Sequence, residues 1–138
     1  MTAKLPTARK PAEFVGSALD DLSLFPNEVK TVMGYAIHIA QIGGIHPNAK
    51  PLKGFGGAGV LEISDDHDGD TYRAVYTVKF ASVVYVLHAF QKKSKKGIAM
   101  PKADRDLIES RLRVAKDHYK RTYASKKTAS KKTGRALN

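Results

Sequence analysis

The 138 residues carry a formal net charge of +11, contain no cysteine and are 42% hydrophobic. That composition supports one small domain with a core, and it excludes disulfides, thiolate metal sites and a cysteine nucleophile. The opening MTAKLPTARKPAEF lacks the apolar centre of a secretory signal, and no apolar run nears the roughly 18 residues of a membrane span, so a soluble, cytoplasmic protein is expected.

In chain order, KPAEFV at residues 10 to 15 suits a short strand. SALDDLSLF then suits a short helix capped by the Ser17 hydroxyl. Pro26 fits a first helical turn, and Val29, Val32, Met33, Ala36, Ile37 and Ala40 recur at helical spacing until Gly43 and Gly44 stop the helix. The proline- and glycine-rich residues 45 to 59 predict a loop with at most irregular structure. VLEIS, TYRAVYTVKF and VVYVLHAFQ read as three strands of an antiparallel meander, the first two joined across DDHDGD with Asp-Gly at the turn. The third is apolar on both faces, which calls for a central strand or helices on both sides. Pro101 opens a second long helix with Asp104, Asp106 and Glu109 early, Lys116, Lys120 and Arg121 late, and an apolar stripe of Ile108, Leu112, Ala115, Tyr119 and Tyr123. One domain over residues 1–123 is expected, followed by a disordered basic tail, 124–138, in which ASKKT occurs twice.

Charge is unevenly placed along this order. Residues 1 to 90 hold 8 Lys+Arg and 9 Asp+Glu, while residues 91 to 138 hold 16 and 4. The excess begins where VVYVLHAFQ runs into KKSKK. A basic half of this kind attracts polyphosphates through counterion release, which makes nucleic acid the leading partner class, ahead of acidic membrane or acidic protein.

Several motifs point elsewhere and fail on context. GFGGAG at 54 to 59 has the letters of a dinucleotide loop, yet a strand follows it where a helix is required. SDDHDGD resembles a calcium loop, but Val75 stands at the twelfth position, where a bidentate Glu is needed. The histidines at 38, 46, 67, 88 and 118 have no zinc-binding spacing. No metal and no cofactor are expected. Glu62 and Asp65 flank a strand end and read as surface groups, and His88 reads as a satisfied core histidine. In a meander, Arg73 lies early in the middle strand and Lys92 just past the end of its neighbour, so the two are close. Lys50 and Lys53 enter from the glycine-rich loop, with Lys53 reaching back from the far end. Such a cluster, with few acids to neutralise it, would hold a phosphodiester and stabilise a phosphorane. The plainer alternative is a solvated cationic face.

KPLKGFG, VLEIS, YRAVYTV and VYVLHAFQKKSKK, with the helix after them, resemble the RelE/ParE toxin superfamily, and within it the HigB-like, phage-derived (Gp49-like) branch. The resemblance spans about residues 10 to 123, and YRAVYTV with LHAFQKKSKK is its most specific part. It implies an α+β RelE-like domain, with N-terminal helices packed on a twisted, mostly antiparallel sheet and a C-terminal helix. It further implies a type II toxin that cleaves mRNA on the ribosome without metal and is neutralised by a helix-turn-helix antitoxin. Carried over residue by residue, Lys53, Arg73, Lys92 and Lys93 would be catalytic, and Lys50, Phe90, Lys95 and Lys96 would bind RNA, with Phe90 stacking on a base. His46 is a weaker candidate base. Ile63 and Ser64 stand where the branch often has arginine, and no tyrosine follows the last strand as it does in some relatives. A non-catalytic nucleic-acid-binding accessory protein and a ParE-like gyrase inhibitor are the alternatives.

Overall fold

The computed structural model describes residues 9–57, 59–92 and 100–124. In chain order its elements are β1 (Ala12–Phe14), α1 (Ala18–Ser23), α2 (Asn27–Gln41), β2 (Ala49–Pro51), β3 (Val60–His67), β4 (Asp70–Thr77), β5 (Val84–Lys92) and α3 (Lys102–Tyr119), with a π-helical turn at Lys120–Ala124. The fold is α+β, and the sheet order is β1-β5-β4-β3-β2.

The meander forms as expected. Asp68 and Gly69, with φ of 49° and 86°, make a two-residue turn with both residues in the left-handed region, the geometry that Asp-Gly favours. The turn pairs His67 with Asp70 and thereby sets Ser64 opposite Arg73. Two strands go beyond the expected meander. β2 forms inside the proline-rich stretch and pairs with β3, while β1 runs parallel to β5, so the sheet is mixed.

A bulge interrupts β5. Val75 faces His88, yet the next residue, Tyr76, faces Val86. The extra residue reverses the alternation: Val84, Val86 and Ala89 pack with α1 and α2 against Met33, Ala36 and Ile37. Tyr85, Leu87 and Phe90 lie on the other side with Ile108, Leu112 and Ala115 of α3. Helices therefore cover both faces, as the strand's two-sided apolar character requires.

One local expectation is corrected. Ser17 makes no side-chain cap on α1. Its hydroxyl donates to Asp21 Oδ2 at 2.8 Å and accepts from Arg111 Nη2 at 3.0 Å, because α3 packs close enough to claim it. The π-helical turn ends at Ala124, and residues 125–138, where the basic tail is expected, lie outside the described part. Among the described residues no helix is long and apolar enough to cross a membrane.

Tyr76 is fully buried, and its hydroxyl has no hydrogen-bond partner. Burial pushes the phenol up from 10.0 to about 12, so the folded state holds this proton more tightly than the unfolded state and loses stability as pH rises from 10 to 12. Tyr76→Phe removes the unpaired group. Urea titration should show stability at pH 7 unchanged or raised by about 1 kcal/mol and a smaller loss at pH 11; a drop of about 1 kcal/mol or more at pH 7 would show that the hydroxyl is satisfied.

Candidate functional site

Directly opposed residues in antiparallel strands share a face, so the register assembles the α3 side of the sheet row by row. Ser64, Arg73 and Phe90 form one row, with Asp66, Thr71 and Lys92 beside it on the hairpin side. On the other side run Lys50, Glu62, Val75 and His88.

Arg73 Nη1 donates to Glu62 Oε2 at 2.6 Å, and the two side chains are only 21% and 15% exposed. Glu62, expected at the surface, is instead the partly buried anchor of the arginine. It leaves part of the guanidinium unused: Arg73 Nε is buried without a hydrogen-bond partner. A guanidinium presents five N–H donors in a planar fork, and its Nε–Nη2 edge matches two oxygens of a phosphate. Among the described residues that edge has no acceptor.

His88 departs from the expected satisfied core histidine. It is buried, its Nε2 lies 2.8 Å from Asp104 Oδ1, and its ring stacks on Phe90 with centroids 4.6 Å apart. A carboxylate can only accept, so Nε2 carries the proton and Nδ1 of the neutral ring is an acceptor. Nδ1 is buried and has no partner.

Lys92 is the last residue of β5 rather than one past it. It sits half-buried across from Thr71, a diagonal neighbour of Arg73 at roughly 7–8 Å. Lys50 is exposed beside Glu62. Lys53 is not brought to Arg73. Pro51 already lies opposite Leu61, three residues along β3 from Ser64, which is about 10 Å, and Lys53 continues onward. Its carbonyl accepts from Arg105 Nη1 at 3.0 Å, while the same guanidinium lies 5.6 Å from the centre of the Phe55 ring. At Gly54 (φ 90°) that guanidinium occupies the space of a side chain, so the loop is clamped onto α3. Lys93, Lys95 and Lys96 lie outside the described residues.

The expected scarcity of acids is also corrected. Besides Glu62, the β3–β4 hairpin brings Asp65, Asp66 and Asp70 to the end of the sheet that carries Lys92, and Thr71 Oγ1 donates to Asp66 Oδ1 at 2.8 Å. Asp66 shares the row of Thr71 and Lys92, so this carboxylate offsets part of the positive charge at that end of the face.

Glu62 was within reach of the sequence, because counting outward from a two-residue Asp-Gly turn sets it diagonal to Arg73. Asp104 and Arg105 were not, since nothing in a helical stripe tells which strand residue each will meet.

Removing one partner of a shielded ion pair leaves the other charge uncompensated. Glu62→Ala should therefore lower unfolding stability by about 2 kcal/mol, and adding Arg73→Met should restore most of it. Equal losses in the single and double variants, read by chemical denaturation, would show that the pair does not hold the site.

Residues 20–113 match the family described as Phage derived protein Gp49-like (DUF891). A search of curated proteins finds no match. Since the family match covers well over half of the sequence, the chain belongs to the phage-derived Gp49-like family.

Proposed function

We propose that this protein is a type II toxin, a ribosome-dependent mRNA endoribonuclease of the RelE/HigB kind that arrests translation and is neutralised by a helix-turn-helix antitoxin. The Gp49-like family is related to RelE-type toxins, which supports the class. The observation that carries the reading is the Nε–Nη2 edge of Arg73, held in place by Glu62 and without a protein acceptor.

In the proposed reaction the ribose 2′-oxygen attacks the adjacent phosphorus and the bond to the 5′-oxygen breaks, leaving a cyclic phosphate and a 5′-hydroxyl. The free edge of Arg73 binds the non-bridging oxygens and stabilises the charge they gain in the phosphorane. The 2′-hydroxyl proton passes to one of two acceptors in the neighbouring row, the Glu62 carboxylate or His88 Nδ1, with Asp104 stabilising the imidazolium in the second case. Lys92, aided by Lys93, protonates the leaving oxygen. Phe90 gives a base a ring to stack on, and Lys50, Lys95 and Lys96 add phosphate affinity. Lys53 serves as an outer phosphate contact, since its distance from Arg73 removes it from the reacting atoms.

Binding without cleavage is the second reading. It is favoured by one observation: Lys53 and Arg73, which the catalytic constellation joins, stand apart.

The test is to induce wild type and Arg73→Lys, which keeps the charge beside Glu62 but loses the planar fork, in a bacterial host and to map new 5′-hydroxyl ends on mRNA. Wild type should give in-frame cuts on translated messages, and Arg73→Lys should reduce them about 100-fold at equal protein level. Growth arrest without cuts would replace the reading with gyrase inhibition; neither effect would leave the binding module.

A further inference from the structure

A cavity of about 410 Å³ opens between α1 and the end of β5, within the range of small-ligand sites, roughly 300–1,000 Å³. Its apolar walls come from Leu24, Phe25, Tyr72 and Phe90, and its polar groups include Asp21 and Gln91. Phe25 and Tyr72 pack on each other with ring centroids 4.9 Å apart, and Phe90 is backed by the parallel ring of His88. Arg73 lies directly across the β4–β5 ladder from Phe90. From Arg73 the cavity lies one strand away, where His88 and Phe90 of the α3 face meet Phe25, Tyr72 and Gln91 of the opposite face.

The polar end is held in place by a relay that starts in the backbone. Arg111 Nη1 donates to the Leu87 carbonyl at the bulge (2.9 Å), Arg111 Nη2 to Ser17 Oγ (3.0 Å), and Ser17 Oγ to Asp21 Oδ2 (2.8 Å). Each link fixes the next, so the carboxylate is oriented before any ligand arrives. Gln91 makes no side-chain hydrogen bond among the described residues.

We propose that this cavity receives a guanine base of RNA, stacked on Phe90 and recognised by Asp21 through its Watson–Crick edge. The inference rests on the RNA-directed reading of the Arg73 face. A carboxylate only accepts hydrogen bonds, and among the four bases guanine alone offers two adjacent donors on that edge, N1–H and the 2-amino group. Adenine and cytosine place a lone pair next to their amino group, and uracil flanks its single N–H with two carbonyls. The Gln91 amide supplies the donor that guanine O6 needs. Stacking on an aromatic ring and pairing on the base edge is how proteins read unpaired RNA bases.

The test is an NMR titration of the full chain with each of the four nucleoside 5′-monophosphates, with cut-site mapping run alongside on the same variants. Guanosine monophosphate should shift the amides of Asp21, Phe90 and Gln91 and bind about tenfold more tightly than the other three. Asp21→Asn, near-isosteric and on a half-exposed helix position, should bring the four within about twofold of each other, and Phe90→Ala should weaken all four. In the mapping, guanosine enrichment beside the cut should vanish with Asp21→Asn. Equal binding of the four nucleotides by wild type, or a guanine preference that survives Asp21→Asn, would overturn the proposal. A guanine preference in the titration with no cuts in cells would uphold the pocket while removing the nuclease reading.

Discussion

The single extra residue at Leu87–His88 governs which side chains the site contains. Without the bulge, a strict two-residue alternation from Tyr85 and Leu87 would carry Ala89 and Gln91 to the α3 face and turn His88, Phe90 and Lys92 toward α2. With it, His88 reaches Asp104, Phe90 lies beside Arg73, and Lys92 follows on the same side. Arg111 secures the irregularity by donating to the carbonyl of Leu87, a group that a bulge would otherwise leave unpaired in a buried strand. The same arginine then positions Ser17 and, through it, Asp21. One backbone irregularity thus organises both the Arg73 face and the cavity at the edge of β5.

Much of the fold was legible in the sequence for local reasons. Helical spacing from Val29 to Ala40 and from Ile108 to Ala115 gave both long helices, and Asp68-Gly69 gave the hairpin. What escaped depends on contacts distant in sequence. A three-residue strand such as Ala49–Pro51 has no pattern of its own and exists because β3 offers an edge. The parallel pairing of β1 with β5 joins residues about seventy positions apart, Ala12 with Val84. The bulge was hidden because VVYVLHAFQ is apolar at nearly every position, so no alternation was present to show a change of phase.

The site was legible by residue type more than by arrangement. Arg73, Phe90 and Lys92 do converge on one face, as a meander demands, while Lys53 was assigned to them by resemblance and lies where Arg105 clamps its loop to α3. Glu62 changes the electrostatic picture most. A free cationic cluster repels its own members and moves on flexible stems; the contact from Nη1 to Glu62 restricts where the Arg73 guanidinium can go. The carboxylate lowers the net charge of this face and in exchange limits the freedom of the arginine.

In the proposed function the Nε–Nη2 edge of Arg73 grips a phosphate. The most direct measurement is the NMR resonance of the Arg73 Nε–H during titration with a short RNA whose 2′-hydroxyls are methylated, so that it binds without reacting. A downfield shift and slowed hydrogen exchange of that proton are expected at saturation, together with shifts of the Ser64, Phe90 and Lys92 amides. An Nε–H that stays unchanged while RNA binds elsewhere on the chain would contradict it.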